Sequence, residues 1–503
     1  MSLQSPTNDT TETFWGSKAS VHCLLFGHAV FWLLVSGIFD IHPDMADHWV
    51  WSRYLTWGYF EHPPFVALTM RWATLFGSPI WGLKIGSVFF SVLILWSAYQ
   101  VARSMVGEKA AWWFLLALEA TPYFTLGSTF WHIDQPYMLF WLAGLWVLSQ
   151  LVQSKNPKWM LAFGLVLGLG AESKYIMALL PLGFALFMLV NRQWLFLLKS
   201  PYTWAGALIC FGLLAPNLHW NATHEWVTFS YNFKKGLTGG DPLRHFSLFT
   251  AGHLLLFSAV LAPAVWFRLF KSLPWRSQEK RGSSLSDGWP AEIYSMVLCT
   301  SLVPAVFFTA ASFKGRGADP HWLNVTYFGL LLILANDWSR QASKMKLMGF
   351  AVAGNYLFVT LVMCLLFFNP MGADYRNTRP AKTLGWPTTA IQIEDQLQQS
   401  GLELPEYVIS REYHLSGALS LYLPNHPWPH SLEKPVRNQW SPVEKVLQQG
   451  ALIACPPKEC PSVLGQVKVR FGQVPELLGT TQTESNGFVV RELELYTLKP
   501  VNR

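Results

Sequence analysis

A short polar segment, residues 43–53, follows the first apolar stretch and combines carboxylates, a histidine and tryptophans. Residues 59–64 come soon after it and add Glu61 and His62 before two prolines. A carboxylate beside lipid is costly to ionise and is seldom kept there without a partner or a task. We therefore expect Asp44, Glu61 and His62 to belong to an active site.

Four further polar stretches lie at the ends of apolar stretches, and they bring both acids and cations. They contain Asp134; Glu172 and Lys174; Lys234, Lys235, Asp241 and Arg244; and Lys314, Arg316, Asp319 and His321. Lysine, arginine or a metal ion neutralises the charge of a departing phosphate. A carboxylate accepts the proton of an attacking hydroxyl or amine. The set favours transfer from a lipid-borne phosphate.

The run Gly164, Gly168 and Gly170 does not change this interpretation. It lies inside an apolar stretch, where small residues usually allow close helix packing rather than cradle a phosphate. A soluble nucleotide donor is therefore disfavoured.

Composition places these residues in a membrane protein. Of 503 residues, 51% are hydrophobic, 13% are charged and 26 are tryptophan. A bilayer is crossed by roughly 17 to 25 apolar residues. About eleven stretches qualify, near residues 21–39, 80–101, 110–127, 136–153, 159–171, 174–190, 202–219, 246–267, 293–311, 321–337 and 347–368. The first is interpreted as an uncleaved anchor rather than a signal peptide.

Lysine and arginine in the short loops predict the orientation, because cytoplasmic loops are enriched in them. One set of alternate connections holds Lys18, Arg103, Lys109, Lys155, Lys158, Arg192, Lys199, Arg268, Lys271, Arg276, Lys280, Arg281, Arg340, Lys344 and Lys346. The other, in longer segments, holds only Arg53, Arg71, Lys174, Lys234, Lys235, Arg244, Lys314 and Arg316. The amino terminus is thus expected inside, and the Asp44 segment outside. The net charge of +7 reflects this asymmetry, and we expect no nucleic-acid partner.

The predicted boundary lies at residue 370. Residues 1–370 form the expected transmembrane domain, with an outer-face site in loops near 40–79, 128–135, 172–174, 220–245 and 312–321. Residues 371–503 have ordinary polarity and predict a small α/β domain on the outer face. Alternation predicts strands at residues 406–410, 419–423, 466–471 and 488–495. Helices are expected at 390–399 and 442–449.

The cysteines fall into two groups. Cys23, Cys210, Cys299 and Cys364 lie in apolar stretches and are interpreted as packing residues. Cys455 and Cys460 lie in the outer domain, where they form either a disulfide in an oxidising compartment or two free thiols.

Taken together, these motifs resemble polytopic GT-C glycosyltransferases that use polyprenyl-phosphate sugars. The match is to the bacterial branch that includes the lipid A aminoarabinose transferase and relatives of protein O-mannosyltransferases. The matching segments are residues 43–49, 59–63, 134–136, 173–175 and 216–221, with Tyr413, residues 421–424 and residues 437–439 in the tail. One departure is Met45, where many relatives have glutamate.

The resemblance implies a mainly α fold: a polytopic bundle of about 11 to 13 transmembrane helices with a small C-terminal α/β extracytoplasmic domain. It implies Asp44 as the general base of an inverting transfer. Lys174, with Lys234, Lys235 or Arg244, is expected to bind the donor phosphate. Glu61, Asp134 and His62 are expected to hold a divalent cation, Mg²⁺, Mn²⁺ or Zn²⁺, or to organise that phosphate.

The implied partners are a polyprenyl-phosphate sugar, an envelope lipid, protein or glycan acceptor, and membrane lipids; the oligomeric state stays open. The implied location is the bacterial inner membrane, with the amino terminus cytoplasmic and the active site and C-terminal domain periplasmic. Met45 leaves the acceptor open.

Other interpretations remain for single residues. Asp44 could cap a helix, Glu61 and Asp134 could pair with lysine or arginine, and Lys174 could extend its charge to the interface. Asp47 is interpreted as a solvated neighbour. His48, His132, His219 and His321 lack ligand spacing along the sequence and are assigned structural roles.

Two other classes of protein remain for the whole chain. A lipid-linked sugar transporter or flippase would carry midplane charges and similar halves, which the sequence lacks. A binding scaffold would leave the acids at the membrane unexplained.

Overall fold

The computed structural model describes residues 17–75, 77–237, 241–272, 289–314 and 318–501. Within these residues the chain forms two compact units. The first comprises Met1–Trp32, Val88–Ser128 and Ile133–Val359; the second comprises Leu33–Ser87, Thr129–His132 and Thr360–Arg503. The C-terminal residues thus share a unit with the polar segment after the first apolar helix, and the boundary at 370 stays a prediction.

Helices dominate the first 370 residues. Their bounds are Lys18–Ile38, Pro43–Arg53, Phe65–Thr74, Pro79–Val106, Glu108–Glu119, Pro122–Leu126, Asp134–Ser154, Trp159–Ala171, Leu179–Val190, Pro201–Thr223, Val227–Leu237, Pro242–Leu256, Leu261–Ser272, Ala291–Ser312, Asn324–Trp338 and Lys344–Phe368. Short 3₁₀ helices join them at Gly127–Thr129, Tyr175–Ala178, Arg192–Lys199 and Pro320–Leu323.

Each of the eleven predicted spans overlaps one helix or two consecutive helices. In the described part of the chain five helices are long and apolar enough to cross a membrane, and two bent pairs raise the number to seven. Helix Pro201–Thr223 meets the preceding 3₁₀ helix at 68°, and Pro242–Leu256 meets the next helix at 111°. Proline begins several of these helices. The N–H of the first helical residue has no partner within its helix, so proline, which lacks this N–H, is tolerated there. The several spans confirm a multi-pass chain, whereas a count of eleven stays a prediction.

The glycine run packs two helices of the first unit together. Gly164 on helix Trp159–Ala171 faces Gly206 on helix Pro201–Thr223, and a Cβ on either residue would overlap the opposite backbone. Hydrogen alone fits between the two backbones. The prediction that the run serves helix packing is confirmed.

The C-terminal part of the second unit has a five-stranded mixed sheet in the order β2-β1-β3-β5-β4. The strands are β1 Tyr407–Ser410, β2 Trp428–Ser431, β3 Ala451–Cys455, β4 Glu476–Ser485 and β5 Phe488–Leu498. β1 runs parallel to β2 and β3, and β5 runs antiparallel to β3 and β4. The accompanying helices are Trp386–Gln399, Tyr413–Tyr422, Val443–Gln449 and Cys460–Phe471, with 3₁₀ turns at Pro380–Thr383 and Pro435–Arg437.

This α/β architecture confirms the predicted fold of the tail, but two predicted strands are wrong. Residues 419–423 end a helix, and residues 466–471 belong to helix Cys460–Phe471. The second helix buries Cys460, Val463, Val467 and Phe471, which recur every three to four residues. The six residues 466–471, taken alone, are too few to show this helical period, because a short apolar run does not distinguish a strand from a helix. Strands β2, β3 and β4 were not predicted.

Cys455 at the end of β3 and Cys460 at the start of the next helix form a disulfide, with their Cα atoms 5.3 Å apart. The structure therefore selects the disulfide over two free thiols.

Candidate active site

Helix Pro43–Arg53 presents the first predicted site residue. His42 caps this helix by accepting a hydrogen bond from the backbone N–H of Asp44 at 3.2 Å. Pro43 occupies the first helical position, where a missing N–H costs nothing. The cap is thus His42, and the capping role considered for Asp44 is wrong.

Two side chains of the C-terminal part hold the Asp44 carboxylate. His414 Nε2 lies 2.9 Å from Oδ1, and the Tyr413 hydroxyl donates to the same oxygen at 3.1 Å. His42 Nδ1 lies 3.6 Å from Oδ2. The Asp44 side chain is 28% exposed, so solvent reaches it.

These contacts determine the charge of Asp44. Burial alone would raise its pKa, but the hydrogen bond from His414 and the charges of His42 and His414 hold the pKa well below its usual range. Burial would lower the pKa of His414, yet its bonds to Asp44 and Glu412 raise it. Asp44 is therefore an ionised carboxylate at neutral pH.

Asp47 is buried beside a different partner, which corrects the prediction of a solvated residue. Its carboxylate lies 3.1 Å from Arg437 Nη1, and both side chains are 4% exposed. Arg437 Nη2 also binds Glu61, and Lys434 Nζ lies 3.7 Å from the other Glu61 oxygen. Burial raises the pKa of Asp47, whereas Arg437 opposes the rise. Glu61 thus shows the arginine pairing that the sequence left open.

Close packing of two helices makes this arrangement possible. Helix Tyr413–Tyr422 packs against helix Pro43–Arg53, and a Cβ on Gly417 would lie 3.5 Å from the backbone of Asp47. Arg437 lies over the Tyr413 ring, 3.6 Å from its centre. The same tyrosine therefore positions the arginine and the Asp44 carboxylate.

Three histidines from separate segments meet in the same unit. Ligating nitrogens of His48, His62 and His132 all lie within 4.8 Å of one another. The structural roles assigned to His48 and His132 rested on their sequence spacing, which carries no information about this meeting. Among the described residues no other group of three histidines, cysteines or acids meets that distance.

The first unit holds a second polar cluster. Lys174 Nζ donates to Asp134 Oδ1 at 2.6 Å, and the Tyr123 hydroxyl donates to Oδ2 at 3.2 Å. Asn324 Nδ2 donates to that hydroxyl at 2.8 Å, and His321 Nε2 lies 4.0 Å from Asp134. Lys174 is only 8% exposed, so the interpretation of a lysine reaching to the interface is wrong. Asp134 shows the lysine pairing left open.

Two motifs of the predicted family also meet in this unit. The Tyr175 hydroxyl donates to Asn217 Oδ1 at 2.6 Å, and Asn221 Nδ2 donates to the same hydroxyl at 3.3 Å. These bonds connect the segment after Lys174 to helix Pro201–Thr223.

The remaining predicted cations are exposed or lie outside the described residues. Lys234 lies on helix Val227–Leu237 and Arg244 on the first turn of helix Pro242–Leu256, and both are exposed. Neither forms an ion pair within the described ranges. The side chain of Lys235 and all of Arg316 lie outside the described residues. Their roles stay predictions.

The predicted metal set joins residues of both units, since Glu61 and His62 belong to the second and Asp134 to the first. Both carboxylates already bind cationic side chains, Arg437 and Lys174. A divalent ion on this set would compete with those two cations for the carboxylates, and it stays a prediction.

The sequence alone does not indicate the contacts of Tyr413, His414 and Arg437 with the carboxylates of the second unit. Tyr413 and Arg437 were noted only as tail motifs, and nothing local marked them as partners of Asp44 and Asp47. The Tyr413–Asp44 contact spans 369 residues of sequence, and the Arg437–Asp47 contact spans 390.

The apolar helices and the mixed α/β tail define a multi-pass membrane protein of the GT-C fold. Residues 61–220 match the family described as dolichyl-phosphate-mannose-protein mannosyltransferase. The structure of ArnT from Cupriavidus metallidurans in the apo state resembles this chain with a TM-score of 0.64 and 15% identity, covering 95% of this chain and 98% of that one. ArnT bound to undecaprenyl phosphate gives a TM-score of 0.60 at 15% identity, covering 96% and 98%.

A curated relative, the lipid A galacturonosyltransferase RgtD of Rhizobium johnstonii, is 25% identical over 213 residues. The match covers 39% of this chain and 44% of the relative, so the chain spans less than half of that relative's length. The predicted resemblance to GT-C glycosyltransferases is confirmed.

Proposed function

We propose that the chain is a glycosyltransferase that moves a sugar from a polyprenyl phosphate, such as undecaprenyl phosphate, to an envelope lipid, protein or glycan. The matched family domain supports a transferase. A protein of the same fold binds undecaprenyl phosphate, which supports this class of donor.

The observation that carries the proposal is the state of Asp44: ionised, held by two side chains and still partly exposed. Asp44 accepts the proton of the acceptor hydroxyl or amine while that atom bonds to the anomeric carbon. The bond from this carbon to the phosphate oxygen breaks, and the phosphate leaves with the electron pair. One displacement inverts the carbon.

The departing phosphate requires positive charge. Lys174, held by Asp134 at 2.6 Å, is the buried cation that we assign to this role, with Lys234, Lys235 and Arg244 as further donors of charge. Sharing Lys174 with a phosphate weakens its bond to Asp134. A divalent ion on Glu61, Asp134 and His62 stays a prediction, and no step here depends on it.

The proposed location is the bacterial inner membrane, with the amino terminus cytoplasmic. The distribution of lysine and arginine supports this orientation. The Cys455–Cys460 disulfide supports an oxidising compartment for the C-terminal part, which corresponds to the periplasm.

Asp44→Asn tests the proposal, because asparagine keeps the size of the side chain and removes the base. We expect at least about a 100-fold loss of transfer. Mass analysis of envelope lipids and glycoproteins compares cells that lack the chain with cells that express the wild type or the variant. The wild type should restore one sugar mass that Asp44→Asn does not.

Asp395→Asn is the matched control, since Asp395 is exposed on helix Trp386–Gln399. It should restore the sugar as the wild type does. Full restoration by Asp44→Asn would sink the assignment of the base. A transporter of lipid-linked sugar would instead change sugar-lipid distribution without needing this carboxylate.

A further inference from the structure

We propose that His48, His62 and His132 form a binding site for Zn²⁺ in the second unit. The site differs from the predicted metal set in all but His62. It rests on the meeting of three imidazoles and not on the proposed transfer reaction.

The distances between the three imidazoles fit a zinc site whose side chains move together when the ion binds. The three ligating nitrogens lie within 4.8 Å of one another, whereas nitrogens bound to tetrahedral zinc at 2.0–2.1 Å lie about 3.3 Å apart. Side-chain rotations that move each ligating nitrogen by roughly 1 Å bridge this difference. The ring centres already lie 4.9 Å apart for His48 and His132, and 6.1 Å for His62 and His132.

An unpaired nitrogen points to a missing ligand. Nδ1 of His48 is buried and has no hydrogen-bond partner among the described residues. A buried polar atom without a partner costs free energy. Coordination of a metal ion by this nitrogen removes that cost.

The surroundings hold the rings and offset the charge of the ion. The His48 ring packs edge-on against the Trp51 ring, with their centres 4.6 Å apart. The His132 ring stacks on the Phe130 ring, with their centres 5.3 Å apart. Asp44 precedes His48 by about one helical turn and Glu61 directly precedes His62, so the segments that carry the ligands also carry two carboxylates. Such surroundings orient imidazole ligands.

Three histidine ligands leave one position of a tetrahedral zinc for water or for an oxygen of a bound molecule. His62 and His132 are only half-buried, which gives that position a route to solvent. Imidazole suits Zn²⁺ better than the hard ions Mg²⁺ and Ca²⁺, which prefer oxygen.

Metal content tests the site directly. The full chain is purified in detergent, loaded with zinc, passed through a desalting column and analysed by inductively coupled plasma mass spectrometry. We expect about one zinc per wild-type chain. The variants His62→Asn and His132→Asn should each weaken zinc binding at least about 10-fold.

His426→Asn is the matched control, because His426 belongs to the same unit but not to the cluster. It should retain the wild-type zinc content. Absorption of Co²⁺-loaded wild type gives a second measurement that needs no variant, since tetrahedral nitrogen ligation yields intense visible bands.

A wild-type chain without bound zinc and without these cobalt bands would overturn the proposal. Equal zinc in the wild type and the double variant His62→Asn with His132→Asn would do the same. Neither measurement uses sugar transfer, so a failure of the zinc site is distinguishable from a failure of the proposed function.

Discussion

Asp44 and Asp47 occupy one helix, three residues apart, yet their surroundings differ. Asp44 remains partly exposed and binds a histidine and a tyrosine. Asp47 is buried against Arg437. An exposed, ionised carboxylate is free to accept a proton, whereas a buried ion pair is stabilising only while both partners are present.

The contact between His414 and Asp44 predicts a pH effect. His414 lowers the pKa of Asp44, so His414→Gln should raise that pKa and move the acid limb of the transfer profile to higher pH. The charged pair also weakens as pH rises through the pKa of His414, which lies above its ordinary 6.5. Rates measured against pH for wild type and variant check both limbs.

His426→Gln serves as the control for this profile and should leave the acid limb in place. An unchanged acid limb in His414→Gln would show that His414 does not set the protonation of Asp44.

Arg437 predicts a large stability effect. Arg437→Gln leaves Asp47 and Glu61 without their buried cation, and breaking such a pair costs about 3 to 5 kcal/mol. Arg376→Gln breaks an exposed pair with Glu492, which should cost at most about 1 kcal/mol. Thermal unfolding in detergent compares the two.

Combining Arg437→Gln with Asp47→Asn should recover part of the lost stability, because a neutral amide is cheaper to bury than an unpaired carboxylate. Equal melting temperatures for Arg437→Gln and Arg376→Gln would contradict the role of the buried pair.

At the scale of elements, close glycine contact predicts which substitution a helix tolerates. Gly206→Ala places a methyl group against the backbone of Met160 and should cost about 1 to 3 kcal/mol. Gly212→Ala on the same helix meets no atom within 4 Å and should be neutral or slightly stabilising. Thermal unfolding of the purified variants measures both, and equal losses would argue against this packing.

Local patterns predicted most of the long helices and strands β1 and β5, but not strands β2, β3 and β4. Long apolar stretches are easy to recognise in a sequence, because every residue in the stretch adds to the local hydrophobicity. Strand β2 contains Pro429, which argues against a strand in a local window, and β3 is a five-residue apolar run without alternation. Their pairing with β1 depends on contacts between distant segments, which no local window contains.

For the whole molecule, the orientation in the membrane is the prediction to test. Alkaline phosphatase fused after Arg503 should be active, because the C-terminal part is proposed to be periplasmic. A fusion after Lys155, in a loop proposed to be cytoplasmic, should be inactive. Enzyme activity in intact cells, corrected for expression, measures the difference, and the opposite pattern would reverse the topology.

The sequence by itself determined the membrane character, most of the long helices and the resemblance to GT-C glycosyltransferases, because composition and short ordered motifs are local properties. Only the tertiary structure decided which partner each residue has. Asp44 meets His414, Asp134 meets Lys174, and three separate segments bring the histidines together. Such pairings depend on how distant helices and loops pack, since a side chain contacts whatever the fold brings within a few ångströms.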